Sequence, residues 1–195
     1  MGHREDLLEG AKRCLLEKGF VRTTAREIVK ESGTNLASIG YHYGSKDALL
    51  VEAFLALIEE MTGAFGDAPP GGGGGEVGSF ERFEEAWAGV IRSFPESRSL
   101  WMLNLEVITQ GDRLAGVREL LAKAQVEGRR GLASIFTGVR ESAVPDDVVE
   151  AEGRFYSILL NGLLVQWLFD PETATSAEQL TEGMRRVMAR AASTS

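Results

Sequence analysis

The sequence is poor in the residues that build covalent or metal-held structure: one cysteine and two histidines in 195 residues. The lone Cys14 excludes an intramolecular disulfide, and this donor set excludes a His/Cys-rich structural zinc site. A reducing, cytoplasmic setting fits that usage. The five prolines leave room for long helices. Long apolar runs are missing as well. The longest, over residues 158–169, is interrupted by Asn161, Gly162 and Gln166, short of the roughly 18 apolar residues that mark a membrane span. Met1 to Asp6 carry no apolar stretch of the export type, and Asp6 stands where a myristoylation motif takes Ser or Thr, so neither export nor lipid anchoring is expected.

Basic charge is also scarce. The net charge of −8 is, as an average, the wrong sign for a partner rich in phosphate. Its distribution changes that conclusion. Residues 1–50 hold eight Lys and Arg against seven Asp and Glu, leaving thirteen against twenty-two for the remainder. The first fifty residues are slightly positive and the acidic excess lies wholly beyond them, an asymmetry that points to one end meeting a polyanion.

Catalytic constellations are absent. No nucleophile–base pair and no HExxH-type metal motif occurs, and the acidic pairs Glu59-Glu60, Glu84-Glu85 and Asp146-Asp147 are adjacent rather than facing. No catalytic residue, metal or cofactor is therefore expected. The five glycines Gly71 to Gly75 follow Asp67-Ala68-Pro69-Pro70 and lack the Lys-Ser/Thr of a phosphate-cradling loop. They are expected to be a flexible surface loop over residues 67–79.

What is present is helical periodicity from end to end, without a sustained period-two strand, so the expected class is all-α. A first helix over residues 5–18 places Leu7, Leu8, Ala11, Cys14 and Leu15 on one face, with Gly19 at its C-terminal end. Thr24 and Glu27 form a capping box that opens a second helix ending near Ser32, where Gly33 supplies a left-handed exit. Asn35 caps a third, from Leu36 to about Tyr43, and Ser45 caps a long fourth. Further helices are expected at about 80–94, 96–109, 114–141, 146–169 and 177–192. Turn signals at Pro95, Gly111-Asp112, Pro145 and Pro171 separate them.

Two short capped helices joined by a glycine turn fit a helix-turn-helix, whose second helix enters the DNA major groove. The stretch Gly33-Thr34-Asn35-Leu36-Ala37-Ser38-Ile39-Gly40-Tyr41-His42-Tyr43-Gly44-Ser45-Lys46-Asp47-Ala48-Leu49 resembles, in continuous spacing, the DNA-binding signature of the TetR (tetracycline-repressor-like) family. Gly19-Phe20, Thr23-Thr24 and Arg26-Glu27-Ile28 occupy matching places upstream, and the resemblance spans about residues 8–54. Two positions depart from the pattern: Gly40 replaces a frequent tyrosine, and Leu36 stands where Lys or Gln is common. Leu36 is suited to a thymine methyl, which would favour an A·T pair.

The resemblance implies an N-terminal three-helix helix-turn-helix domain, residues 1–48, and a C-terminal helical effector-binding and dimerisation domain, residues 49–195. It implies a transcriptional repressor that binds a pseudo-palindromic double-stranded DNA operator as a homodimer and is released by a small-molecule effector. An all-helical interaction or ligand-binding protein without DNA binding is the alternative. The expected DNA contacts are Thr24, Arg26, Leu36, Ser38, Tyr41, His42 and Lys46. Arg26 is the candidate for bidentate reading of guanine, with an ion pair to Glu31 as its other possible employment. His42 and Lys46 are expected on phosphate, and Tyr43 in packing.

Apolar residues crowd the last two helices. Leu160, Leu164, Trp167, Leu168, Leu180, Met184, Val187 and Met188 are expected at the dimer interface, two helices from each subunit forming a four-helix seam. Trp87, Trp101, Asn104, Phe136, Phe155, Asn161 and Gln166 are the candidates for an effector pocket, an apolar lining with a few orienting polar groups.

Overall fold

Local punctuation sets the first helices. The computed structural model describes residues 2–66, 75–110 and 117–193. Helix α1 (His3–Lys18) is followed by α2 (Ala25–Ser32) and α3 (Leu36–Tyr43). At the start of α2 the Thr24 side chain accepts from Glu27 N, and the Glu27 carboxylate accepts from Thr24 N at 2.9 Å. Both otherwise orphaned donors are thereby satisfied. Gly33 leaves the helix at φ 67° and ψ 22°, a left-handed conformation that costs a residue without Cβ nothing. The Asn35 side chain then accepts from Ser38 N at 3.1 Å and opens α3. Ser45 does the same for Ala48 N at 3.0 Å, starting α4 (Lys46–Gly66).

Helices α5 (Phe80–Ser93), α6 (Arg98–Gln110), α7 (Val117–Thr137), α8 (Asp146–Val148), α9 (Arg154–Phe169) and α10 (Ala177–Ala192) complete the order, and the described residues contain no strand. None of the described helices is long and apolar enough to cross a membrane. The expected glycine-rich loop falls largely on residues 67–74, outside the described residues, as do the Gly111-Asp112 turn and the expected start of α7 near Leu114. That helix also ends at Thr137, four residues earlier than its periodicity suggests, because Gly138 turns left-handed at φ 68°. The buried Arg82 stabilises this end by donating to the carbonyls of Ile135 and Phe136, where the helix dipole favours a cation. The expected helix over 146–169 is continuous in backbone but contains a π-helical turn, Val149–Gly153, between α8 and α9. Gly153 sits against the Arg129 carbonyl so closely that a Cβ would collide with it.

Packing divides the chain into two compact units, and not at residue 48. The first contains residues 1–65 and 97–124; the second contains 66–96 and 125–195. The reason is burial. Leu49, Leu50 and Ala53 of α4 have no exposed surface and join Leu7, Ala11, Leu15, Ile28 and Ile39 in one core. Leu100, Leu103 and Val107 of α6 close the same core. Each fully buried leucine contributes roughly 1.5–3 kcal/mol, so α4 and α6 are structural members of the N-terminal unit.

The second unit has an aromatic centre. Trp87 lies 5.1 Å from Phe136 and 6.2 Å from Phe83 between ring centroids, and Tyr156 stacks on Phe136 at 4.0 Å. Burial, with Glu152 nearby, pushes the Tyr156 phenol up to about 12. Helix α10 packs on α5, with the Arg185 guanidinium 4.8 Å above the Phe80 ring.

Candidate nucleic-acid interface

Helix α3 is held from one side only. Ile39, 4 % exposed, enters the core, and Tyr43 is fastened by its hydroxyl, which donates to the Arg4 carbonyl at 2.6 Å. The Arg4 guanidinium covers the same ring at 5.4 Å and pairs with Glu52 at 2.6 Å. Tyr43 is thus a packing residue. With that face anchored, helical periodicity turns Leu36, Ala37, Gly40 and Tyr41 outward, Leu36 at 52 % and Tyr41 at 85 % exposure. Ser38 and His42 are half-buried on the adjoining flank, and the His42 ring meets Tyr41 edge-on at 4.8 Å.

Most basic side chains of residues 1–50 are spent internally. Lys12 bonds Glu60 and Glu9, Arg13 bonds Glu31 at 2.7 Å, and Lys18 bonds Glu27 at 2.7 Å. The Lys18 ammonium and the two bonds from Thr24 hold the Glu27 carboxyl down at about 2. Because Glu31 serves Arg13, its pairing with Arg26 is not formed. Arg26 is exposed at the start of α2 and makes no ion pair among the described residues. Arg22 and Lys30 likewise carry no carboxylate partner there, although Arg22 donates to the Lys18 carbonyl at 2.8 Å. Two expected contacts are more committed than the sequence implies. Lys46 donates to the Thr23 carbonyl at 3.3 Å and lies 3.1 Å from Asp47, so the acid next in sequence already compensates its charge at a helix N-terminus. The Thr24 hydroxyl donates to Glu27 at 2.8 Å.

A residue that sequence reasoning missed sets this frame. The Glu106 carboxylate on α6 accepts from Phe20 N and Val21 N, both at 2.8 Å, capturing the turn between α1 and α2. Gly19, at φ 81°, faces that carboxylate, and a Cβ there would overlap it. Nothing local marks Glu106, which is one more glutamate in a helical pattern. Its partners are backbone groups more than eighty residues away.

In the second unit several expectations need correction. Leu164 has no exposed surface, so it belongs to the interior of its own unit and not to a dimer interface. Trp167 packs on Phe94 at 5.6 Å, while Leu160, Leu168, Leu180 and Met184 are half-buried. Val187 and Met188 are exposed, at 68 % and 55 %. The outward stripe of α9 is instead Ile158, Val165 and Phe169, exposed by 70 %, 52 % and 91 %, with Gly162 between them. The rotation of this stripe by one or two residues has a simple origin: α9 is apolar on most of its circumference, and only its neighbours decide which side is covered.

The pocket candidates are divided between the two units. Trp101 and Asn104 belong to α6 of the first unit. In the second, Trp87 and Phe136 are packed within the aromatic centre, whereas Phe155, Asn161 and Gln166 face outward. Gln166 spends its carbonyl on the Thr175 N–H and hydroxyl. A hollow of about 200 Å³ beside it is lined by other residues, among them Ile91, Leu163, Trp167 and Ala174.

A capped helix, a left-handed turn and a second helix anchored by one face and bare on the other define a helix-turn-helix DNA-binding protein. Residues 7–53 match the family described as bacterial regulatory proteins, tetR family. The HTH-type transcriptional repressor AcnR of Corynebacterium efficiens is 30% identical over 136 residues, covering 65% of this chain and 68% of that protein. Among solved structures, SCO7518 of Streptomyces coelicolor A3(2) superposes with a TM-score of 0.70 at 22% identity, over 95% of this chain and 97% of that one. The multidrug binding protein EbrR, complexed with proflavin, does so at 0.68 and 19% identity, over 95% and 99%. The chain belongs to the tetR family, and it is a DNA-binding transcriptional regulator rather than an enzyme.

Proposed function

We propose that this regulator is a cytoplasmic repressor that binds a pseudo-palindromic operator as a homodimer and lets go when a small molecule binds its second unit. The observation that carries the DNA-reading half is Arg26, exposed and unpaired at the start of α2 beside the bare face of α3. Its guanidinium matches guanine O6 and N7, a contact worth roughly 1–3 kcal/mol of discrimination. Leu36, Ser38 and Tyr41 meet base edges, and His42 meets phosphate. Lys46 and Thr24 reach phosphate by exchanging their present partners for it, which makes them weaker contributors than Arg26.

One recognition helix spans only a few base pairs, so a dimer supplies the second half-site. The exposed stripe Ile158, Val165 and Phe169 on α9, with Val187 and Met188 on α10, fits a second copy of itself in an isologous seam. For the effector, the supporting feature is Trp87. Its Nε1–H is buried without a hydrogen-bond partner inside an aromatic cluster, a donor that a ligand acceptor entering the cluster would satisfy. Release requires that the effector bind the DNA-incompetent arrangement more tightly, since equal affinity for both shifts nothing.

Selection of duplexes from a random pool tests this reading. A recovered inverted repeat whose affinity falls about tenfold to a hundredfold in Arg26→Ala supports it. Ile158→Glu with Phe169→Glu should give a folded monomer in sedimentation that no longer retains the repeat. No enrichment at any salt concentration would discard the operator.

A further inference from the structure

Helix α3 carries an unusual reading surface for a DNA-binding helix. Its eight residues contain no Arg, Lys, Asn, Gln, Asp or Glu, the side chains that pair bidentately with base edges. Asn35, just ahead of it, has its carbonyl oxygen engaged by Ser38 N. The face turned to solvent is Leu36, Ala37, Gly40 and Tyr41. The hydroxyls of Ser38 and Tyr41 bond donors and acceptors alike, so they discriminate weakly. Leu36 and Ala37 form the first turn, the part of a recognition helix that reaches base edges. Gly40 lies one turn beyond Leu36, and beyond its chain neighbours and its own helix backbone nothing stands within 4 Å of where a Cβ would be, leaving the flank of the Leu36 side chain open.

The major groove offers such a surface one apolar feature, the C5-methyl of thymine. Resting on the operator reading above, we infer that α3 selects its half-site by apolar contact, Leu36 and Ala37 each covering a thymine methyl, and that hydrogen-bond readout falls to Arg26 on α2. Specificity is then divided between two helices by chemistry: a guanine read by charge-assisted hydrogen bonds, and neighbouring thymines read by methyl burial. Leu36 is the principal specificity-determining residue of α3, having the larger apolar surface of the two.

The test replaces thymine by deoxyuridine, one position at a time, in the duplex selected by the full-length protein. This substitution removes a methyl and leaves every hydrogen-bonding group in place. Affinity is expected to fall about fourfold at each of two thymines per half-site, the equivalent of one buried CH₂ group each. In Leu36→Ala, whose exposed position should leave the melting temperature unchanged, the sensitivity to uracil should vanish at one of the two and persist at the other. A selected duplex bound equally well with uracil at every position would overturn the inference while leaving the operator reading intact. Failure to select any duplex would overturn both.

Discussion

The two units of this chain share local caps and differ in how much distant contacts add to them. In the first, the start and end of α2 and the starts of α3 and α4 are made by residues within four positions of them, the Thr24–Glu27 box, Gly33, Asn35 and Ser45, and one distant carboxylate, Glu106, braces the α1–α2 turn. In the second, Ser79, the Ser176–Gln179 box and Gly138 are local signals too, but Arg82 braces the end of α7 from more than fifty residues away, and the π turn before α9 coincides with Gly153 pressing on the Arg129 carbonyl. Locally encoded structure gives a reading head whose helix limits are fixed by short-range bonds and whose outer face needs no neighbour. Structure made by distant contacts gives a body whose surface is decided by what packs where.

That contrast can be broken first at the aromatic centre. Trp87→Ala should cost about 3–5 kcal/mol, read by denaturant unfolding, because it empties a fully buried site between Phe83 and Phe136. Amide exchange in α2 and α3 should report the reading head protected up to a separate, higher unfolding free energy; simultaneous loss of both units would show them to be one cooperative body. A smaller effect is expected from Glu106→Ala, about 1–3 kcal/mol, since it strands the Phe20 and Val21 N–H groups. Operator affinity should fall with it, the turn that orients α2 being freed, while the far-UV spectrum stays helical. Retention of both stability and affinity would remove the carboxylate from the frame.

The smallest effect is a dependence on acid. The Glu27 carboxyl is held near 2 in the folded chain and titrates near 4.5 when freed, so the unfolded state takes up its proton first as pH falls. Its contribution is complete above about pH 4.5 and drains away toward pH 2. Glu27→Gln should therefore show a flatter fall of stability across that window, and a parallel curve would assign the loss to other carboxylates.

The limits and the bare face of the helix-turn-helix were legible because the motif is local. Caps and glycine turns announced α2 and α3 to the residue, and a period of 3.6 put Tyr41 outside once Ile39 was inside. Employment was less legible. That Glu31 serves Arg13 and leaves Arg26 free, or that Asp47 and the Thr23 carbonyl occupy Lys46, depends on side chains brought together by the crossing of α1, α2 and α4. The burial of the pocket candidates was not legible either, since an aromatic residue reads the same whether it lines a cavity, fills a core or faces solvent.

The sequence by itself determined an all-helical chain, the limits of its reading helices, the charge split between its ends and the chemistry those helices can offer DNA. All of these follow from interactions within a turn or two of helix, whose strength does not depend on the rest of the molecule. Tertiary structure alone decided that α4 and α6 belong with the reading head, that Glu106 holds the α1–α2 turn, and that Leu164 is interior while Ile158 and Phe169 are bare. For a helix apolar on most sides, burial is a property of its neighbours, and no pattern within the helix can state which side they take.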